Sequence, residues 1–171
     1  MSFIGIISDN KSFENIRKKI LENIKDSKLN IININRQSIE NIQNIKFKII
    51  VIDNNLEKFK NQKSTLQKIC KNTQYIILNT DIHLKMEILQ NEKVNIITYG
   101  LNQKATITMS SIKETDILIS LQRNIENIKK EVIEVEEKHI KLNEKDKLKS
   151  YEILIIYTIL IIYGYKIINQ I

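Results

Sequence analysis

The sequence predicts a single α/β domain over residues 1–171, with a mostly parallel sheet flanked by helices, an antiparallel β portion in the second half and a closing apolar helix. Three observations carry this expectation. Short continuous apolar runs alternate with helically spaced apolar residues through the first hundred positions, the pattern of strands buried on both faces and joined by helices. After Gly100 the apolar runs follow one another with no helical spacing between them, which points to antiparallel hairpins. The chain then closes on "YEILIIYTILIIYG", apolar at nearly every position.

Phe3 to Ile7 is short enough for a buried strand, and Ser8 to Asn10 supply residues that cap a helix. From Phe13 onward Ile16, Ile20, Leu21 and Ile24 recur at helical spacing among Lys and Arg, so an amphipathic helix follows. "LNIININ" alternates in part, and "IKFKIIVIDNN" is a denser run ending on a polar turn at Asp53 to Asn55. Leu56 to Ile69 reads as a weaker helix, "TQYIILNTD" as a strand, Ile82 to Leu89 as a short helix and "KVNIITYG" as a further strand. Gly100 ends that strand, where a turn with positive φ or a close backbone approach is expected. "KATITMSSI", "TDILISLQRN" and "EVIEVEEKHIKL" are the later strands. In the last of these Glu134 and Glu136 share a face and Glu137 points away. Together with Glu131 and the alternating Lys130, Lys138 and Lys141 they suit a solvated edge strand that resists pairing with another sheet.

The hydrophobic fraction of 42% and the charged fraction of 27% are those of a folding chain. Net charge is +7, concentrated early: Lys11 to Lys71 holds 14 Lys/Arg against 6 Asp/Glu, whereas Glu126 to Lys149 balances at 7 against 7. Such an excess attracts phosphate or an anionic membrane surface. Only three basic residues are Arg, however, a poor match to bidentate base readout, and nucleic acid is not an expected partner. Cys70 is the one cysteine, so no internal disulfide forms, and the start of the chain lacks a cleavable leader pattern. A cytoplasmic location is expected. The apolar stretch Ile153 to Tyr165 would span about 20 Å as a helix, short of a roughly 30 Å hydrocarbon core, so a core helix is favoured over a membrane anchor.

Chemistry is sparse. His83 and His139 lack a second His or Cys at metal-ligand spacing. Cys70 has only Lys68 and Lys71 nearby, without a base to make it a nucleophile. Asp53, after "IIVI", and Asp81, after "YIILNT", fall at the expected carboxyl ends of parallel strands, the edge at which open α/β sheets bind ligands. With Lys11 and Ser12 they form the best available cluster for phosphate and Mg²⁺, Ser12 and Asp53 being the candidate metal ligands. Asp and Asn also end strands as ordinary turn formers.

Three segments resemble the central ATP-binding domain of the Mur ligases, which add amino acids to peptidoglycan precursors, and of the related folylpolyglutamate synthases. In "YIILNTDIHLKMEILQNEKVNIITYGLNQKATI", Asn79 and Asp81 match a strand-ending Asn and its acidic neighbour, and Thr98, Tyr99, Gly100, Asn102 and Ala105 match the family's later turn. Thr106 stands where the family usually has Asp. The closing helix resembles a family helix that runs to a Gly, here Gly164, although large Ile residues replace small Ala and Glu152 falls near an expected Asn. In "FIGIISDNKS", Asn10, Lys11 and Ser12 match the end of the family's phosphate loop, but no Gly follows Ile7. Those glycines let the backbone curve so that several N–H groups meet one phosphate. Asp9 also brings a carboxylate toward the same place.

The resemblance thus implies a nucleotide site at Lys11, Ser12, Asn79 and Asp81 reduced to a remnant that binds ATP and Mg²⁺ weakly or not at all. The family's metal-holding carbamylated Lys and Glu have no counterpart, and 171 residues leave no room for its substrate domain. The expectation is a non-catalytic structural or regulatory protein, linked through the family to cell-envelope metabolism and acting through a protein partner or as a homo-oligomer. The alternatives are a subunit of an ATP-dependent ligase or ATPase, and a membrane-associated protein held by the closing helix.

Overall fold

The computed structural model describes residues 1–53, 56–82, 94–113, 116–142, 147–165 and 167. In chain order the elements are β1 (Ser2–Ile7), α1 (Asn10–Asn23), β2 (Leu29–Asn33), β3 (Ile49–Ile52), a 3₁₀ segment (Leu56–Gln62), α2 (Lys63–Lys71), β4 (Tyr75–Asn79) and β5 (Asn95–Tyr99). There follow β6 (Ile107–Lys113), β7 (Asp116–Leu121), β8 (Ile125–Glu126), β9 (Val132–Ile133), β10 (Glu136–Lys141) and α3 (Ser150–Ile162). Eight strands form one mixed sheet in the order β10-β7-β6-β5-β4-β3-β1-β2, while β8 and β9 make a separate two-stranded piece. The chain divides into two compact units, Met1–Phe13 with Asp26–Ile97, and Glu14–Lys25 with Thr98–Ile171.

In the first unit β1 pairs in parallel with both β2 and β3, and β3 with β4. Alternation sorts the side chains. Ile7, Ile50, Ile52, Ile76 and Leu78 join one core with Phe59, Leu66 and Ile69 from the 3₁₀ segment and α2. Ile4, Ile6, Ile49, Val51 and Ile77 point to the opposite face and are buried as well. Each Ile so enclosed contributes about 1.5–3 kcal/mol relative to exposure. The weaker helix expected from Leu56 begins as 3₁₀ turns broken at Phe59 (φ −101°, ψ 15°) before α2 takes over. Gly5 faces Ile34 and Phe47 so closely that an added Cβ would collide with the Ile34 side chain, which brings the segment after β2 onto the sheet. The short helix expected from Ile82 to Leu89 lies, from residue 83 onward, outside the described residues.

In the second unit β6, β7 and β10 are antiparallel, as the later runs predict. Two details differ from expectation. Tyr99 and Ile107 are partners in a parallel bridge, and of the two roles expected of Gly100 positive φ is not adopted. Gly100 donates its N–H to the Ile107 carbonyl at 3.2 Å instead. The run from Val132 to Lys141 is also broken between β9 and β10, leaving Glu134 outside both strands rather than on one strand face with Glu136. The reason lies in the Asn124 side chain, which accepts the Val135 N–H at 3.0 Å and takes that backbone group out of a strand ladder. β10 is an edge strand, as its charges suggest.

Along α1, Ile16, Ile20 and Ile24 are buried, whereas Leu21 is exposed. Helix α3 is enclosed all round, with Ile153 to Ile162 buried at every position. It packs against β6, Tyr157 donates to Glu136 of β10 at 3.3 Å, and Ile162 accepts the Ile128 N–H at 2.9 Å. At its start the Glu152 carboxylate, only 1% exposed, accepts the Lys149 N–H at 3.0 Å and the Asn15 amide at 3.2 Å. A carboxylate in a first helical turn also meets the positive end of the helix dipole. At its end Gly164 (φ 74°) donates to Ile161 at 2.9 Å while Tyr165 donates to Leu160 at 3.0 Å, a Schellman cap that requires the left-handed conformation. Among the described residues no helix is long and apolar enough to cross a membrane.

Gly164→Ala forces an L residue into that conformation and directs a Cβ to within 3.1 Å of the Lys129 ammonium. We expect a loss of about 1–2 kcal/mol, read as a lower urea midpoint with an unchanged slope.

Candidate functional site

The parallel strands of the first unit end on a common rim. β2 lies on one side of β1 and β3 on the other, so the chain direction across the sheet reverses between β1 and β3. In open α/β sheets the crevice beyond such a reversal is the usual ligand site. Register places Ser8, Asp53 and Asn79 one step past the paired ends Ile7↔Ile52 and Ile52↔Leu78, a row of polar residues across three neighbouring strands. The Asp53 N–H donates to the Ile7 carbonyl at 3.0 Å, which holds the two strand ends together beyond their last pair.

The polar groups of this rim are engaged with one another. Asn79, 3% exposed, donates its side-chain amide to Asp53 Oδ1 at 3.2 Å and accepts the Asp81 N–H on Oδ1 at 2.9 Å. One face of the Asn79 amide therefore ties β4 to β3 and the other shapes the turn that follows. An Asn suits this position because it offers a donor and an acceptor on one short side chain. Of the residues expected at a nucleotide or metal site, Asp53 and Asp81 are thus both hydrogen-bonded to Asn79.

At the start of α1 the connection from β1 is two residues, Ser8 and Asp9. Asp9 caps the helix twice: its carboxylate accepts the Ser12 N–H at 2.9 Å and its carbonyl accepts the Phe13 N–H at 2.9 Å. The Ser8 hydroxyl donates to the same Asp9 carbonyl at 3.1 Å. Free N–H groups at a helix start are what bind a phosphate in a nucleotide site. Here a carboxylate of the chain itself stands in the anion position, and its charge repels a second anion. Of the two residues expected to meet phosphate, Ser12 is buried at 3% exposure and Lys11 is exposed to solvent. Asn10 accepts from the Asn33 amide at 3.1 Å.

Sequence reasoning missed Lys58, a half-buried residue of the 3₁₀ segment. Burial lowers its ammonium below the usual lysine range, and the Asp9 carboxylate pulls in the opposite direction. Nothing in a lysine-rich stretch singles it out. The cap itself was legible, since an Asp stands three residues before Ser12 at the head of a helical pattern.

His139 is exposed on β10, and His83 lies outside the described residues. Cys70 is buried in the first unit's core, where the loss of water pushes its thiol up to about 12. Among the described residues no group of three or more His, Cys, Asp or Glu is arranged to hold a metal ion. Against known proteins, neither a family model nor a curated sequence matches the chain.

Asp9→Ala removes the cap and should cost about 0.5–2 kcal/mol, seen as a reduced urea midpoint. The buried thiol makes a second prediction. Because the folded-state value of Cys70 is raised, its contribution to stability is fully present below an unfolded value of about 8.5 and is lost as pH climbs toward about 12. Cys70→Ala should flatten that part of the alkaline stability profile, and native Cys70 should react with Ellman's reagent only as fast as the chain opens.

Proposed function

We propose that the chain is a non-catalytic protein with a structural or regulatory role exercised through protein contacts. The observation that carries this reading is the Asp9 cap, a carboxylate at 2.9 Å from the Ser12 N–H at the helix start that follows β1, one of the two strands flanking the sheet's direction reversal. A nucleotide phosphate would have to displace that carboxylate and overcome its charge, and would regain few backbone donors from a two-residue connection. The Asn79–Asp53 hydrogen bond supports the reading in the same way, since both side chains are committed to holding strand ends.

The resemblance to a Mur ligase central domain, reduced at its phosphate loop, enters this proposal as the reason to look for partners in cell-envelope metabolism. A cytoplasmic location belongs to the same reading. Calorimetry with Mg-ATP, with protein and nucleotide in the hundreds of micromolar, tests it. Heat indistinguishable from dilution is expected. Saturable heat that disappears in Lys11→Ala would instead establish a working nucleotide site and restore the ligase or ATPase reading.

A further inference from the structure

The second unit contains an open groove of about 720 Å³ between the β8–β9 hairpin and the carboxyl end of α3, a size within the range of ligand sites. Its walls are apolar on both sides: Ile133 comes from the hairpin, while Ile161, Tyr165 and Ile167 come from the end of α3 and the residues after it. Val132, which lines the groove, is 65% exposed, and Val135, three residues further on, is 60% exposed.

The charge of the groove opposes that of the protein. Among the described residues, Glu131, Glu134 and Glu136 line it with Lys138 as the one lining cation, in a chain of net charge +7. Lys138 is already engaged, 3.4 Å from Glu136, and Glu136 also accepts from the Tyr157 hydroxyl. The Lys129 ammonium and the Asn127 amide both lie beside Gly164, which also lines the groove. Glu131 is held by the neutral Asn127 amide at 2.8 Å, which orients its carboxylate without neutralising it. Glu134 is exposed between β9 and β10 and forms no ion pair among the described residues. Two oriented or exposed carboxylates beside uncovered valines are complementary to a cation carried on an aliphatic chain.

We infer that this groove docks a basic peptide segment of a protein partner, with a Lys or Arg side chain reaching Glu131 and Glu134 and aliphatic neighbours covering Val132, Ile133 and Tyr165. The inference rests on the interaction role proposed above and gives that role a surface and a partner chemistry. A charged rim around an apolar strip sets register and orientation, and the apolar strip supplies the area removed from water.

The test is an amide NMR titration of the full chain with a short peptide of alternating lysine and leucine, with a glutamate–leucine peptide as control. The expected result is saturable binding of the lysine peptide alone, with shifts confined to residues 131–136 and 161–167. Glu134→Gln, at an exposed position where the fold should be untouched, is expected to weaken binding about tenfold, the worth of one charge-assisted contact. Val132→Ser should weaken it as well. Absence of saturation, or binding that Glu134→Gln leaves unchanged, overturns the inference. So does concentration-dependent dimerisation that Val132→Ser abolishes, which would assign the groove to a second copy of the chain. Failure here is separable from failure of the non-catalytic reading, which depends on Mg-ATP heats at the other unit's rim.

Discussion

Strands with no polar face impose the main constraint on this protein. β3 and β4 are buried at all of their positions, so water has to be excluded from both sides of each. The same holds for α3, whose apolar residues occupy the whole circumference of the helix. Elements of this kind are stable only inside other elements. The β3 and β4 runs accordingly lie within the sheet, and the strands at its two ends, β2 and β10, carry Asn, Lys and Glu. Polar groups can enter the enclosed regions only with their hydrogen bonds satisfied. Thr158 inside α3 does so by donating to the Leu154 carbonyl at 2.6 Å, and Glu152 does so through Lys149 and Asn15.

That requirement also explains the rim of the parallel strands. Where the apolar runs stop, backbone groups lose their ladder partners, and side chains of the next residues take over. Asn79 bridges to Asp53 and to its own turn, and Asp9 caps α1. These are the residue types that a ligand site would use, placed where one would be expected, and their hydrogen bonds in this structure run to other groups of the protein. Composition and position at a strand end therefore do not distinguish a binding rim from a self-satisfied one.

Much of the architecture was legible because it follows from period and run length. The continuous runs Phe3 to Ile7, "IKFKIIVIDNN" and "TQYIILNTD" have the density of buried strands, and they contain the parallel set β1, β3 and β4. The antiparallel second half was legible from runs with no helical spacing between them. Less legible were features that depend on one hydrogen bond or on the partner strand. Gly100 suggested a tight turn from its identity alone, but a glycine also occurs at ordinary φ, and its N–H meets Ile107 across a parallel bridge. The break between β9 and β10 depends on Asn124, ten residues upstream of Glu134, which no local pattern reveals.

By itself the sequence determined which segments are enclosed and which face water, because burial follows from the spacing of apolar side chains along each element. The sequence did not place the end of α3, since the apolar stretch continues through Gly164 to Tyr165, whereas the helix stops at Ile162 and Gly164 takes the left-handed cap beyond it. Tertiary structure decided what the polar residues are for. Whether Asn79 is tied to Asp53, and whether Glu134 lies in a strand or beside a groove, depends on groups distant in the chain, whereas the Asp9 cap is made with residues three and four positions on. Hydrogen bonds are short and directional, so their partners are chosen by the folded backbone and not by the neighbouring sequence.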